Sequence, residues 1–300
     1  MGSGHPHAHS HAPAPAGHGR AFAIGVVLNL AFVAFEAAAG VLSGSMALLA
    51  DAGHNLSDVL SLALAWGASV LARRPAGGRY TYGFKSSTIL AALANAGLLL
   101  VAIGGIAFET LHRIAAPPAV EGRTMMIVAG IGIVVNGATA LLFMRGRHRD
   151  LNIRAAFLHM AADALVSLGV VVAGGLILLT GARWVDPVTS LAIVLVIAWG
   201  TWGLLKDSVK LSLNAVPAHI DEAAVRAHLA ALPGVQRVHH VHIWPMSTTE
   251  AALTAHLVMP AGHPGDAFLH EVAHGLDHEF GIGHATVQVE TGTDSREGPR

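Results

Sequence analysis

The stretch Asp51-Ala-Gly-His54-Asn55-Leu-Ser-Asp58 is embedded in an otherwise apolar run that reaches from Gly44 to Leu71. At 3.6 residues per turn, Asp51, His54, Asn55 and Asp58 fall at i, i+3, i+4 and i+7, one continuous face of a helix. The apolar flanks are long enough to cross a bilayer. A charged side chain there costs about 2.5–3.5 kcal/mol on insertion scales, so a face carrying several of them points to function. A second long apolar run repeats the device, with His159-Met-Ala-Ala-Asp163 placing histidine and aspartate one helical turn apart. Turned toward each other, the two faces present two imidazoles and two carboxylates, the donor set of a metal site.

Composition agrees with a membrane chain. Only 12% of the 300 residues are charged and 53% are hydrophobic, whereas soluble domains carry about 25% charge. A net charge of −1 leaves no electrostatic footprint for nucleic acid. The absence of cysteine excludes disulfides and thiolate metal sites. The anomaly is the 20 histidines, of which five precede residue 21, four lie in the apolar part and eleven follow residue 215.

In chain order, residues 1–20 read as a disordered cytoplasmic arm rich in histidine, without the apolar core of a signal peptide. Residues 21–210 hold six apolar segments, at about 21–42, 46–71, 86–111, 124–144, 151–180 and 187–206. Asp150 is the N-cap expected for the fifth. Gly104-Gly105 and Gly174-Gly175 read as points of close helix packing. Arg73, Arg74, Arg79 and Lys85 follow the second segment, Arg145, Arg147, Arg149 and Arg154 surround the gap after the fourth, and Lys206 and Lys210 end the sixth. The opposite loops carry only Arg113, Arg123 and Arg183. The positive-inside rule therefore places both termini in the cytoplasm. His54 and His159, like Asp58 and Asp163, are 105 residues apart, each pair in the middle segment of three. Two three-helix halves have opposite topology, the inverted-repeat logic of secondary transporters with a site at the repeat interface.

Residues 215–291 change character. A helix over Ile220 to Leu232, strands over Val235 to Trp244 and Ala251 to Met259, a helix over Asp266 to Phe280 and a strand over His284 to Glu290 give the order αββαβ. That is a small cytoplasmic α+β domain of ferredoxin-like type, and residues 292–300 form a flexible tail. His270, His274 and His278 make a stripe on the second helix, while His239, His240, His242 and His256 sit on the paired strands. These spacings suit regulatory metal binding at a domain face or a dimer interface.

The chemistry favours zinc at the intramembrane pair. Zinc takes four ligands in a tetrahedron, with imidazole nitrogen and carboxylate oxygen both suitable at about 2.0–2.2 Å. Magnesium and calcium prefer all-oxygen cages; cadmium, cobalt, iron and nickel stay open as alternatives. Metal binding needs neutral imidazole and displaces protons, and histidine titrates near neutral pH. The same four groups therefore suit metal/proton exchange. Asp51 and Asn55 are placed to line a pathway to the site, Asn29 and Glu36 share a face of the first helix, and Asn95 and Asn136 read as interhelical hydrogen-bonding groups.

The run Gly44-Ser-Met-Ala-Leu-Leu-Ala-Asp-Ala-Gly-His54-Asn-Leu-Ser-Asp58 resembles the second helix of the cation diffusion facilitators. So do Ala156-Phe-Leu-His159-Met-Ala-Ala-Asp163, Trp184-Val-Asp-Pro-Val, Val241-His-Ile-Trp244 and the closing His284-Ala-Thr-Val-Gln-Val-Glu290. The likeness runs from about residue 20 to 290 and is nearest the bacterial cobalt–zinc–cadmium resistance branch. It implies a homodimer in the bacterial inner membrane that exports zinc in exchange for protons through His54, Asp58, His159 and Asp163. By position it also implies tail-domain ligands at His239, His256 and Glu290, with His270 and His274 as partners. Gln288 stands where some members carry a histidine ligand, and Arg73 to Lys85 lacks the Asp/His ligands that some members hold in that loop. Two other classes predict different behaviour. An intramembrane metalloenzyme needs an open coordination position and a general base, against which four closing ligands argue; a membrane metal sensor binds without net transport.

Overall fold

A computed structural model describes the backbone of residues 19–144 and 151–292, with the side chains of 19–29, 61, 62, 65, 142–144 and 151–159 outside the description. Asp150 therefore lies outside the described residues, as do residues 1–18 of the arm and the last eight residues. Six long helices come first: α1 Gly19–Ser43, α2 Met46–Ala72, α3 Ser87–Ala115, α4 Gly122–Met144, α5 Leu151–Thr180 and α6 Val185–Ser212. After them come α7 Glu222–Ala230, β1 Arg237–Pro245, β2 Ala251–Val258, α8 Asp266–Phe280 and β3 His284–Glu290, the αββαβ order. The described residues form two compact units, one of 19–65 with 92–205 and the other of 66–91 with 206–292.

Among the described residues, α3, α4, α5 and α6 each contain a stretch long and apolar enough to span a bilayer. Their exposed faces carry large apolar side chains such as Val101, Leu165, Leu179 and Trp199. An apolar surface this extensive belongs against lipid, not water. The polar side chains are inside: Glu36, Asp51, Asn55, Asn136, Asp163 and Ser167 are all buried.

Two helices outrun the sequence reading. The third was expected to stop near residue 111, yet α3 continues through His112 and Arg113 to Ala115, because basic residues in a last turn favour the negative end of the helix dipole. Pro117-Pro118 then forbids continuation. The sixth extends past 206 to Ser212, with Lys210 in its last turn, and ends before Asn214 in the left-handed region at φ 59.

Close packing rests on one of the two glycine pairs. A Cβ placed on Gly174 would meet the carbonyl oxygen of Gly122 at 2.9 Å, and one on Gly122 would meet that of Gly174 at 2.8 Å, so α4 and α5 touch backbone to backbone. Gly104 and Gly105 have open space instead, which corrects the expectation that they pack a neighbouring helix. They sit on a stretch of α3 whose neighbours Val101 and Phe108 are exposed.

Asp186, in the first turn of α6 and buried, reaches across to the start of α2. Its carboxylate accepts hydrogen bonds from Ser45 Oγ and from the backbone amides of Met46 at 2.8 Å and Ala47 at 3.2 Å. Ser45 Oγ accepts in turn from Leu48 N at 3.2 Å. One carboxylate thus caps a helix distant in sequence while standing at the positive end of its own. The tail domain is a three-stranded sheet in the order β1-β2-β3, β1 antiparallel and β3 parallel to β2. Leu253, Ala255 and Leu257 of β2 face Val225, Leu229, Val272 and Leu276 of the two helices in a single core.

Asp186→Ala should leave the first amides of α2 buried without acceptors, at about 1–3 kcal/mol for each group so stranded. The expected result is a lower melting temperature of the purified protein in detergent. A variant as stable as the parent would show that the cap is dispensable.

Candidate metal sites

On α2, His54 and Asp58 share one face by their four-residue spacing, and α5 brings Asp163 to the same point. His54 Nε2 lies 3.7 Å from Asp58 Oδ2 and 3.4 Å from Asp163 Oδ1. A tetrahedron with bonds of about 2.0–2.2 Å has edges of roughly 3.4 Å, so these separations are those of donors round one ion. One donor atom from each residue lies within 4.8 Å of the others. Asp163 is buried, while His54 and Asp58 keep some exposure at 20% and 29%. His159 is in α5 one turn before Asp163, and its side chain lies outside the described residues.

A buried polar cluster adjoins this group. Asn55 Nδ2 donates to Glu36 Oε2 at 3.3 Å, tying α2 to α1. Ser167 Oγ donates to Asp51 Oδ2 at 3.1 Å, tying α5 to α2. Asp51 and Asn55, expected to line a pathway, are here enclosed at 0% and 2% exposure. Ser167 escaped the sequence reading, although its spacing of four from Asp163 put it on the same face. Asn29, paired with Glu36 by spacing, has its side chain outside the described residues.

The second group is in the tail domain. His239 of β1 and His256 of β2 are direct partners in the antiparallel register, and His256 is opposite Gln288 of β3. Side chains alternate across a strand, so His256 stands on the sheet face away from Leu253, Ala255 and Leu257. Glu290, two residues beyond Gln288, bridges both imidazoles: His239 Nε2 to Oε2 at 3.0 Å and His256 Nδ1 to Oε1 at 2.8 Å. Gln288 Nε2 donates to the same carboxylate at 3.3 Å. Partial burial works to raise the Glu290 carboxyl, but the hydrogen bonds of His256 and His239 outweigh it and hold the group below its ordinary value of 4.5.

The structure does not bring His270 and His274 to this group. α8 packs on the sheet through Val272 and Leu276, the opposite face from His256, so positions 270 and 274 are exposed to solvent. Spacing puts these histidines on one stripe of α8, and the packing of Val272 and Leu276 decides which way that stripe faces.

The residues from 22 to 211 match the family model of the cation efflux transmembrane domain, and those from 217 to 292 match that of the cation efflux protein cytoplasmic domain. The chain belongs to the cation efflux family. It is therefore a membrane protein of a transporter family, built of a helical membrane domain and a small α+β domain. The zinc transporter ZitB of Escherichia coli is 38% identical over 271 residues, 90% of this chain and 86% of that one. The cation efflux system protein CzcD of an Alcaligenes species is 36% identical over 272 residues, 90% of this chain and 86% of that one. A Bacillus subtilis protein named as a cadmium, cobalt and zinc/H(+)-K(+) antiporter is 34% identical over 277 residues, 91% of this chain and 89% of that one. A solved structure of the metal-bound C-terminal domain of the CzcD transporter from Cuprividus metallidurans aligns with 24% of this chain and 99% of that one, at 38% identity and a TM-score of 0.23.

The lowered Glu290 carboxyl sets a pH dependence for the metal-free cation efflux protein. A carboxyl held below its ordinary value of 4.5 stabilises the fold above that pH, and the contribution is lost as pH falls through the lowered value. The protection factors of the β3 amides, which remove the pH dependence of intrinsic exchange, should fall on acidification through that window, and Glu290→Gln should abolish this dependence. An unchanged profile in the variant would assign the acid sensitivity elsewhere.

Proposed function

We propose that this protein exports zinc from the cytoplasm in exchange for protons, by alternating access through His54, Asp58, His159 and Asp163 between α2 and α5. The observation that carries this reading is the convergence of His54, Asp58 and Asp163 from two helices at separations of 3.4 and 3.7 Å. The names of ZitB and of the Bacillus antiporter support zinc as cargo and protons as counter-substrate. Cadmium and cobalt are the alternative cargoes those names suggest; iron and nickel fit the donors less distinctively.

In the cycle we envisage, the site opens to the cytoplasm and zinc displaces protons from imidazole and carboxylate. The helices then rock, and protons taken from the outer side discharge the ion. Asp58 and Asp163 supply negative charge that neutralises the cation in a low-dielectric surrounding. His54 supplies an imidazole nitrogen that must give up its proton to hold the ion. By loop charge both termini are cytoplasmic, and the family and its bacterial relatives support the bacterial inner membrane. We assign residues 1–20 to an arm, 21–210 to transport, 215–291 to a cytoplasmic domain that pairs in a homodimer, and 292–300 to a tail. In that domain His239, His256 and Glu290 take a regulatory ion.

The test is zinc flux into proteoliposomes under an imposed pH gradient. Wild type should move zinc against protons, and Asp58→Ala and Asp163→Ala should be silent, because each loses a ligand and a proton acceptor together. Normal flux in either variant would refute the site; zinc binding without flux in wild type would turn the reading to a sensor.

A further inference from the structure

Strand alternation should put neighbouring residues 239 and 240 on opposite faces of the sheet. Here it does not. The register of β1 against β2 slips between His239 and His242, a β-bulge, and His240 takes a left-handed backbone with φ 48. Few residues other than glycine adopt that conformation, and it carries a cost that the surroundings must repay. Its effect is to fold the His240 imidazole back over the face that carries His239 and His256.

The resulting geometry is specific. The ring centre of His240 lies 4.9 Å from that of His239 and 5.1 Å from that of His256, and those of His239 and His256 are 5.1 Å apart. The three rings are mutually inclined by 52–66°. An imidazole bound through nitrogen at about 2.0–2.1 Å has its centre roughly 3 Å from the ion, so tetrahedral imidazoles have centres roughly 5 Å apart. Those spacings put the His240 ring beside the donors of His239, His256 and Glu290, which themselves lie within 4.8 Å of one another. Gln288, in line with His239 and His256 across the sheet, offers no third imidazole and instead donates to Glu290.

We propose that His240 is a metal ligand, so that His239, His240, His256 and Glu290 close four donors round one divalent cation of the zinc or cobalt type on the open face of the tail sheet. The inference rests on the reading of this face as metal-binding and adds to it the residue that completes the coordination. The bulge is the device that recruits His240, and its strained backbone is repaid when the ring finds an ion.

The experiment uses the full chain in detergent, in an Asp58→Ala, Asp163→Ala background that removes the intramembrane group. Cobalt is titrated and followed by its visible absorption, which is intense only for four-coordinate ions, with zinc competition for affinity. His240→Asn keeps a residue tolerant of positive φ and removes the imidazole; circular dichroism and the metal-free melting temperature check that the fold survives. His240→Asn should weaken binding by at least about tenfold and cut the cobalt absorption, while His242→Asn, one strand position past the bulge, should change neither. If His240→Asn matches the parent in affinity and spectrum while His256→Ala abolishes binding, the proposal is overturned and the three-residue tail site survives. If the parent background binds no cobalt, both fall together.

Discussion

A carboxylate or imidazole withdrawn from water inside a bilayer has to find a partner in the protein, and the helical unit is arranged round that requirement. The buried groups of α2 are met from two sides, Asn55 by Glu36 of α1 and Asp51 by Ser167 of α5. His54 is met from α5 by Asp163. Each tie fixes a neighbouring helix against α2, so the polar residues that make hydrocarbon burial expensive also set the registration of the helices. The backbone contact at Gly122 and Gly174 brings α4 against α5 with no side chain between them. Asp186 then fixes where α2 begins. A shift of a fraction of a turn at that cap would carry His54 and Asp58 away from Asp163.

How much of this was legible in the sequence depended on range. Periodicity located all six long helices and the αββαβ order, because amphipathic and apolar runs are local properties. It also placed His54 with Asp58, since a four-residue spacing is a geometric statement about one helix. That Asp163 joins them is an interhelical fact, suggested by the matched 105-residue separation and measured only in three dimensions. The cap from Asp186 to Met46 spans 140 positions and left no local mark beyond an aspartate at a helix start. In the tail, spacing gave α8 its histidine stripe but not its orientation, and the core residues Val272 and Leu276 decided that His270 and His274 face solvent. His240 is the sharpest case. Simple alternation sends it to the wrong face, and only the bulge in the register brings it back.

The loop between α2 and α3 shows how a segment without metal ligands still has a task. Residues 73–85 contain neither aspartate nor histidine, and the loop with the start of α3 lies in the same compact unit as the tail domain. Ser86 Oγ donates to the Met246 carbonyl at 3.3 Å, Thr248 N donates to Thr88 Oγ1 at 3.1 Å, and Tyr82 meets the ring of His284 edge-on at 5.7 Å. Lys85 pairs with Glu250, a carboxylate about half exposed. Exposed ion pairs contribute about 0.2–1 kcal/mol and are screened by salt, while neutral hydrogen bonds contribute about 0.5–1.5 kcal/mol each. The attachment is therefore the sum of a few modest polar contacts, with no apolar core of its own. All of them except the Tyr82 contact land on the turn between β1 and β2, the two strands that carry His239, His240 and His256. That turn therefore ties the two strands that carry His239, His240 and His256 to the chain segment where α2 ends and α3 begins.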